Sequence, residues 1–181
     1  TGHETASFVG HDWGAFVVWE TGRLFPDRCD SVVGVSVPFT PWPMKPTELF
    51  KMMFGDRFFY ILYFQEVGPA EREFEADVRR TMHNIMWGAS GAKYRPGPAD
   101  VSELPPMEGT GFLDMFSDIP SELPTWLSQA DLDYYVEQFS HSGFFGPVSW
   151  YRNFDANYDV TKDIDPSVMT MPTFFIGGDK D

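Results

Sequence analysis

The strongest constraint on the fold is a tight turn between an apolar run and an amphipathic segment. The turn reads Gly-His-Asp-Trp-Gly at residues 10–14. Residues 6–9 before it are consistent with a short buried strand, and the apolar residues of 15–25 recur at helical spacing up to Pro26. Glycine at both ends lets strand and helix approach closely and forces the central residue into a strained backbone conformation. The pattern predicts a strand–turn–helix elbow from which Asp12 projects.

The residue at the centre of this elbow determines which chemistry it can support. Attack by a hydroxyl on an alkyl carbon gives an ether, whereas attack by the Asp12 carboxylate gives an ester that water can cleave. The backbone N–H of Trp13, at the start of the helix, is predicted to be half of an oxyanion hole. The alternative is an ordinary turn in which Asp12 only caps the helix. The motif therefore favours an enzyme that attacks saturated carbon, as in an epoxide or a carbon–halogen bond.

Composition limits the class of protein and its partners. The 181 residues, 43% hydrophobic and 17% aromatic, can build a globular domain with a substantial core. There is no apolar run of about 18 residues and no signal-peptide pattern, so we expect neither a membrane span nor secretion. The net charge of −14 argues against a nucleic-acid partner. The single cysteine, Cys29, is expected to be a buried structural thiol. Because one cysteine cannot form a disulfide within these residues, we expect a cytoplasmic location.

Further along the chain, strand and helix patterns alternate. Residues 31–37 are rich in β-branched side chains and predict a second buried parallel strand, which completes a right-handed βαβ unit. Residues 49–164 are mainly helical in pattern, interrupted by a loop at 88–109. Apolar residues at helical spacing mark two stretches within that region: Phe74, Val78, Met82 and Ile85, and then Leu132, Tyr135, Val136 and Phe139. Ser128 and Asp131 resemble a capping box before the second stretch.

Residues 171–176 predict a return to the sheet, so the fold class is α/β. The expected architecture is a partial sheet of parallel strands with a mainly helical cap, or lid, inserted into it. We expect core at residues 1–40, cap at 41–168 and a return to the core at 169–181.

The chain resembles the epoxide hydrolases of the α/β-hydrolase fold, of the soluble epoxide hydrolase type, from about Ser7 to Asp181. Three motifs carry the resemblance: the complete elbow at 10–14, the segment 60–66 (Tyr-Ile-Leu-Tyr-Phe-Gln-Glu) and the segment 142–153, which ends in Trp-Tyr-Arg-Asn. The stretch 88–123 is the least similar. The resemblance implies that Tyr60 and Tyr151 hold the epoxide oxygen. It also implies that Asp181, in the Gly-x-Asp-Lys-Asp ending, orients a catalytic histidine.

Two phenols suit the first step of such a reaction. Opening an epoxide releases an alkoxide, and a tyrosine with an ordinary pKa of about 10 is a neutral donor that can surrender its proton to that stronger base. Each tyrosine could instead be an ordinary core aromatic, and Tyr63, one helical turn away, could be confused with Tyr60. An ester of the diol on Asp12 would then be hydrolysed by activated water. The expected pocket walls are Phe16, Phe59, Trp126 and Phe144.

The sequence differs from the family pattern in its catalytic base. The histidines are His3, His11, His83 and His141, and none follows Asp181. We therefore expect the catalytic histidine and the second oxyanion donor to lie outside these residues, with core sequence missing on both sides. An isolated piece would expose sheet edges and be prone to association. The sequence is also compatible with a homodimer.

Other functions are compatible with parts of the sequence. A haloalkane dehalogenase also uses an aspartate elbow followed by tryptophan, with indole or amide N–H groups on the halide. A non-catalytic binding protein could keep the aromatic pocket without the base. A third alternative is an interaction surface on the cap, made of Phe112, Met115, Phe116 and Ile119. No metal or organic cofactor is expected, since the sequence shows neither a ligand cluster nor a dinucleotide motif.

Overall fold

The computed structural model describes residues 2–91, 100–116, 118–165 and 169–180. The strands are β1 (Ala6–His11), β2 (Cys29–Val35) and β3 (Thr173–Ile176). The helices are α1 (Trp13–Leu24), α2 (Pro46–Phe54), α3 (Tyr60–Tyr63), α4 (Pro69–Ala76), α5 (Val78–Gly88), α6 (Gln129–Ser142), α7 (Phe145–Arg152) and α8 (Phe154–Thr161). Short 3-10 turns occupy Pro26–Arg28, Val101–Glu103 and Leu113–Met115. The chain divides into two compact units, one of Thr1–Lys45 with Ala156–Asp181 and one of Pro46–Asp155.

The sheet of the first unit is parallel, in the order β1-β2-β3. His11 at the end of β1 pairs with Val35 at the end of β2, and Val35 pairs with Ile176 at the end of β3. The backbone N–H of Asp12 donates to the Val35 carbonyl at 3.1 Å. The predicted partial parallel sheet is thus confirmed, and Asp12 stands at its carboxyl edge.

The strands differ in burial from the expectation. The central strand β2 is buried as predicted, with Val32 fully inaccessible. Within these 181 residues only Gly10 of β1 is buried, and Val9 is 68% exposed, so the predicted burial of the first strand is not met by these residues alone. Among the described residues β1 pairs with β2 along one edge, and α1 covers one face of the sheet. Trp19 of α1 makes that cover, and a Cβ on Gly34 would lie 2.2 Å from its ring.

A buried arginine joins α1 to the end of α8 and to Ile164, which follows it. One guanidinium nitrogen of Arg23 donates to the carbonyls of Thr161 and Ile164 at 2.8 and 2.9 Å, and the other pairs with Glu20 at 2.9 Å. Arg23 is only 8% exposed. These bonds connect Thr161 and Ile164 to α1 within the first unit, and the predicted boundary of the cap stays a prediction.

The second unit is helical and has its own core. Its ends are linked by Thr47, whose N–H and hydroxyl donate to the Asp155 carboxylate at 3.1 and 2.6 Å. The buried apolar cluster comprises Phe64, Ala70, Phe74, Met82, Leu113, Leu127, Leu132, Phe144 and Val148. The predicted capping box at α6 is confirmed, with the Ser128 hydroxyl accepting from Asp131 N–H and the Asp131 carboxylate accepting from Ser128 N–H. Helical content in this unit agrees with the predicted cap.

The first periodic stretch of the cap is two helices rather than one. Phe74 lies on α4, whereas Val78, Met82 and Ile85 lie on α5. The break falls at Asp77 (φ −152°, ψ 89°), whose carboxylate caps α5 by accepting from the Arg80 N–H. Apolar spacing continued across the break, so periodicity alone did not reveal it.

None of the helices in the described ranges is both long and apolar enough to cross a lipid bilayer.

Candidate active site

The elbow has the strained geometry that the motif predicts. Asp12 has φ +55° and ψ −118°, a conformation that side chains rarely adopt outside special turns. Gly10 is required by close packing, because a Cβ there would lie 2.0 Å from the Gly14 carbonyl oxygen. At Gly14 itself, no atom among the described residues lies within 4 Å of such a Cβ. Among the described residues, the close approach of β1 and α1 depends on the first glycine of the motif.

The Asp12 carboxylate and the start of α1 face each other. The backbone N–H of Trp13 donates to the Asp12 carboxylate at 2.5 Å, so the side chain also caps the helix. An ordinary N-cap residue has extended backbone, whereas Asp12 has positive φ, which separates this turn from a plain cap. The role of Trp13 as an oxyanion donor stays a prediction. Its ring packs against Phe16, with centroids 5.1 Å apart.

In the second unit, the two tyrosines implied by the resemblance lie in contact. Tyr60 begins α3, Tyr151 is in α7, and their ring centroids are 5.6 Å apart at an interplanar angle of 80°. The buried ring of Phe64 touches both, at 5.7 Å from Tyr60 and 4.9 Å from Tyr151. Residues 91 positions apart in sequence are therefore neighbours, as a shared role would require.

The structure distinguishes the environment of Tyr63 from that of Tyr60, which sequence spacing does not. The Tyr63 hydroxyl donates to the Glu73 carboxylate at 2.8 Å. Burial, together with the hydrogen bond and charge of Glu73, raises the pKa of Tyr63 well above its usual range. Glu73 also accepts from the N–H groups of Phe112 and Leu113, so Tyr63 belongs to a structural network.

Two polar residues beside the tyrosines have no role that the sequence alone predicts. Arg152 follows Tyr151 and donates from Nε to the Phe64 carbonyl at 2.8 Å. Gln65 donates from Nε2 to the Tyr151 carbonyl at 3.0 Å. Both lie inside the motifs that carry the family resemblance, but no spacing rule links an arginine to a carbonyl 88 residues away.

The four predicted pocket walls occupy different environments. Phe16 is half-buried beside Trp13, and Phe59 stacks on Phe54 with centroids 3.9 Å apart while touching Tyr60 at 5.1 Å. Trp126 is 55% exposed, in the turn before α6. Phe144 is a core residue, 3% exposed and stacked on Phe139 at 4.9 Å.

A small apolar cleft opens beside the tyrosine pair within the second unit. It has a volume of about 200 Å³ and is lined almost entirely by apolar and aromatic side chains. Tyr151, Phe64 and Phe144 form part of its wall, together with Ile85 and Val148. The cleft could hold an apolar group close to one of the two phenols.

The cap surface considered above is not built from exposed rings. Phe112 packs against Phe64, Phe74 and Tyr60 with centroids 5.3 to 5.9 Å apart, and Phe116 contacts Phe112 at 5.1 Å. Of the four residues of that surface, Met115 is exposed to 36%, and the other three are partly buried. The idea of an apolar interaction patch there is wrong for the two phenylalanines.

The cysteine and the four histidines lie within the described residues, and Asp181 does not. Cys29 is buried, as expected, with Sγ 3.4 Å from the Phe25 carbonyl oxygen, and burial raises its pKa. His11 ends β1, and His83 and His141 lie on cap helices α5 and α6. Across the described ranges, no group of three or more His, Cys, Asp or Glu side chains could hold a metal ion.

Comparison with known proteins gives the family context. The chain is 43% identical to epoxide hydrolase A of Mycobacterium tuberculosis over 99% of its own length and 55% of that protein. Among solved structures, an epoxide hydrolase from an endophytic Streptomyces has a TM-score of 0.87 and 37% identity, covering 99% of this chain and 54% of that one. Epoxide hydrolase A from Mycobacterium thermoresistibile has a TM-score of 0.75 and 37% identity, covering 98% and 63%. No family model matches the chain.

The chain spans little more than half the length of the curated relatives it matches. Within that span, sequence and fold agree on the same group of proteins. The chain is thus related, over nearly its whole length and about half of theirs, to the epoxide hydrolases of the α/β-hydrolase fold.

Proposed function

We propose that the protein carrying this chain is an epoxide hydrolase that converts an epoxide and water into a vicinal diol. The observation that carries the proposal is the Asp12 carboxylate on a positive-φ turn at the carboxyl edge of a parallel sheet. The contact between Tyr60 and Tyr151 and the names of the relatives support it further.

In the first step, an oxygen of the Asp12 carboxylate attacks the less hindered epoxide carbon and the carbon–oxygen bond of the ring breaks. Tyr60 and Tyr151 donate to the departing oxygen, which becomes a hydroxyl by taking a phenolic proton. The product is an ester between Asp12 and the diol. The strained turn favours this role because it presents the carboxylate away from the strand rather than along it.

In the second step, water attacks the ester carbonyl and the ester carbon–oxygen bond breaks. One proton of the water goes to the departing oxygen, which becomes the second hydroxyl, and the other restores the phenol, so that the Asp12 carboxylate is free again. The Trp13 N–H faces the Asp12 carboxylate and is suited to stabilise the oxyanion of that step. We assign water activation to a histidine oriented by Asp181 and to none of the four histidines of this chain. The family resemblance is what supports this assignment to Asp181 and a histidine beyond it.

The substrate we propose is a small apolar epoxide. A buried cavity of about 150 Å³ lined by apolar side chains is known to bind benzene. The cleft beside Tyr151, at about 200 Å³, is therefore large enough for a single aromatic ring or a short branched alkyl group. A cytoplasmic location and a homodimer are further proposals, and cell fractionation and sedimentation would test them.

Epoxide hydrolysis is favoured over removal of a halide. A halide is bound by N–H donors, whereas the paired groups here are two phenolic hydroxyls, which can also release a proton to an alkoxide. The relatives and structures compared above are also named as epoxide hydrolases.

The covalent intermediate gives the most direct test. The complete protein that carries this sequence would be mixed briefly with isotope-labelled styrene oxide, quenched, digested and analysed by mass spectrometry. We expect the label on the peptide containing Asp12 and a loss of at least about 1,000-fold in kcat/KM for Asp12→Ala. Label on another peptide, or substantial turnover by Asp12→Ala, would overturn the nucleophile assignment.

The tyrosine assignment has an internal control. Tyr60→Phe and Tyr151→Phe should each slow ester formation by about 100-fold, since each removes one donor to the developing oxyanion. Tyr63→Phe removes a hydroxyl bound to Glu73 and should leave ester formation within about threefold of wild type. Equal effects at all three positions would contradict the assignment.

A further inference from the structure

We propose that Arg152, together with Gln65 and Glu71, is a positioning device that holds the two phenols in register for attack on the epoxide. The inference rests on the proposed function. These three residues are called the tyrosine clamp below.

The first arm of the clamp is the guanidinium of Arg152. It donates from Nε to the Phe64 carbonyl at 2.8 Å and from Nη2 to the Glu66 carbonyl at 3.0 Å. The planar guanidinium fixes both bonds at once, which a lysine ammonium cannot do. Because Arg152 is the residue after Tyr151, its bonds set where the end of α7 lies relative to the segment that follows Tyr60.

The second arm is Gln65, which lies in the segment after Tyr60 and donates to the backbone of α7, whereas Arg152 of α7 donates to the backbone of that segment. Its Nε2 donates to the Tyr151 carbonyl at 3.0 Å and to the Ile61 carbonyl at 2.8 Å. Ile61 follows Tyr60 directly, so one side-chain amide connects the backbone next to one phenol with the backbone of the other. The aromatic contacts of Phe64 with both rings fill the space between these bonds.

The Glu71 carboxylate anchors the arginine. The ion pair between Arg152 Nη2 and Glu71 Oε1 is 2.7 Å long, and the two side chains are only 13% and 10% exposed. The other oxygen of Glu71 accepts from the Gly68 N–H at 2.8 Å. Burial opposes ionisation of Glu71, but backbone N–H groups and Arg152 outweigh it and hold the pKa of Glu71 below its usual value. A charge pair with this little exposure resists screening and keeps one geometry.

The clamp should matter for one half-reaction only. Ester formation needs both hydroxyls aimed at one oxygen, and a displacement of about 1 Å can cost about 100-fold in rate. Ester hydrolysis uses a carbonyl, a water and a base, and the phenols do not take part in it. A residue that merely stabilises the fold would instead reduce the amount of active protein and change both steps alike.

The test is single-turnover kinetics on the complete protein with styrene oxide, following ester formation and ester hydrolysis separately. Rates are normalised to the amount of Asp12 adduct, so that unfolded protein does not count. Arg152→Lys should slow ester formation by about 10- to 100-fold and leave ester hydrolysis within about twofold. The matched control is Arg79→Lys, which alters an ion pair with Asp133 that is half exposed and should leave both rates unchanged.

A second variant keeps the inference testable if Arg152→Lys does not fold. Gln65→Met is similar in size, removes the bonds to Tyr151 and Ile61, and leaves the Arg152–Glu71 pair in place. It should slow ester formation by about tenfold.

Three results would overturn the clamp, in distinguishable ways. Ester formation unchanged in the folded variants, or both steps slowed equally, would refute the clamp while an Asp12 adduct in the wild type upholds the proposed function. A wild-type protein that forms no adduct at Asp12 would refute the proposed function, and the clamp with it.

Discussion

Two glycines in one turn should respond to alanine with opposite signs. A Cβ on Gly10 would lie 2.0 Å from the Gly14 oxygen and 2.3 Å from the Gly14 carbon. Tolerated contacts are at least 3.0 Å, so the first turn of α1 would have to move away from β1 by about 1 Å. At Gly14 the described residues leave the same position open, and the backbone is helical.

The magnitudes follow from these contacts. Overpacking costs about 1 to 3 kcal/mol, and Gly10→Ala should reach the upper part of that range because the atoms that clash are backbone atoms that cannot rotate aside. Gly14→Ala should increase the free energy of unfolding by about 0.5 to 1 kcal/mol, since alanine is the better helix former. The two variants should therefore differ by at least about 2 kcal/mol.

Urea unfolding of the complete protein, followed by circular dichroism, measures this difference, provided that the slopes of the two variants agree. Gly10→Ala should also lose Asp12 labelling by the epoxide, because the strained turn opens. If Gly10→Ala is as stable as wild type, or if both alanines shift the free energy of unfolding in the same direction, β1 and α1 do not approach each other as closely at Gly10 as these distances indicate.

Two further predictions concern the cap. The fully buried Thr81 hydroxyl donates to the Phe74 carbonyl across the α4–α5 break at 2.9 Å. Thr81→Val should therefore lower the free energy of unfolding by about 1 to 3 kcal/mol, whereas Thr81→Ser keeps the hydroxyl and should retain most of the wild-type stability. Equal losses in the two variants would exclude the hydrogen bond as the cause. Because its pKa is lowered in the folded state, Glu71 should stabilise the protein above its unfolded pKa of about 4.5 and lose that contribution as pH falls through the lower folded value. Chemical unfolding from pH 7 to pH 3 should show the stability advantage of wild type over Glu71→Gln shrinking with acid, and a constant or growing advantage would contradict the cause assigned to the pKa.

Local features of the fold were predictable because their causes are local. A glycine-flanked aspartate between an apolar run and a helical pattern leaves few alternatives to an elbow, and Asp12 has the strained φ that the pattern implies. The Ser128–Asp131 capping box is likewise a relation between residues three apart. The β-branched run around Val32 is the central strand, since burial on both faces selects such side chains.

Other features depended on which distant segments meet. The break at Asp77 is not visible in the sequence, because the apolar residues of α4 and α5 keep helical spacing across it.

The sequence by itself determined the nucleophile candidate, the parallel α/β class and the helical cap, because each is marked by spacing within a short window. Only the tertiary structure decided that Tyr63 is bound to Glu73 while Tyr60 meets Tyr151, and that Arg152 and Gln65 hold their backbones together. The physical reason is that contacts between residues 10 to 91 positions apart leave no periodic trace in the sequence, since either partner alone is an ordinary polar or aromatic residue.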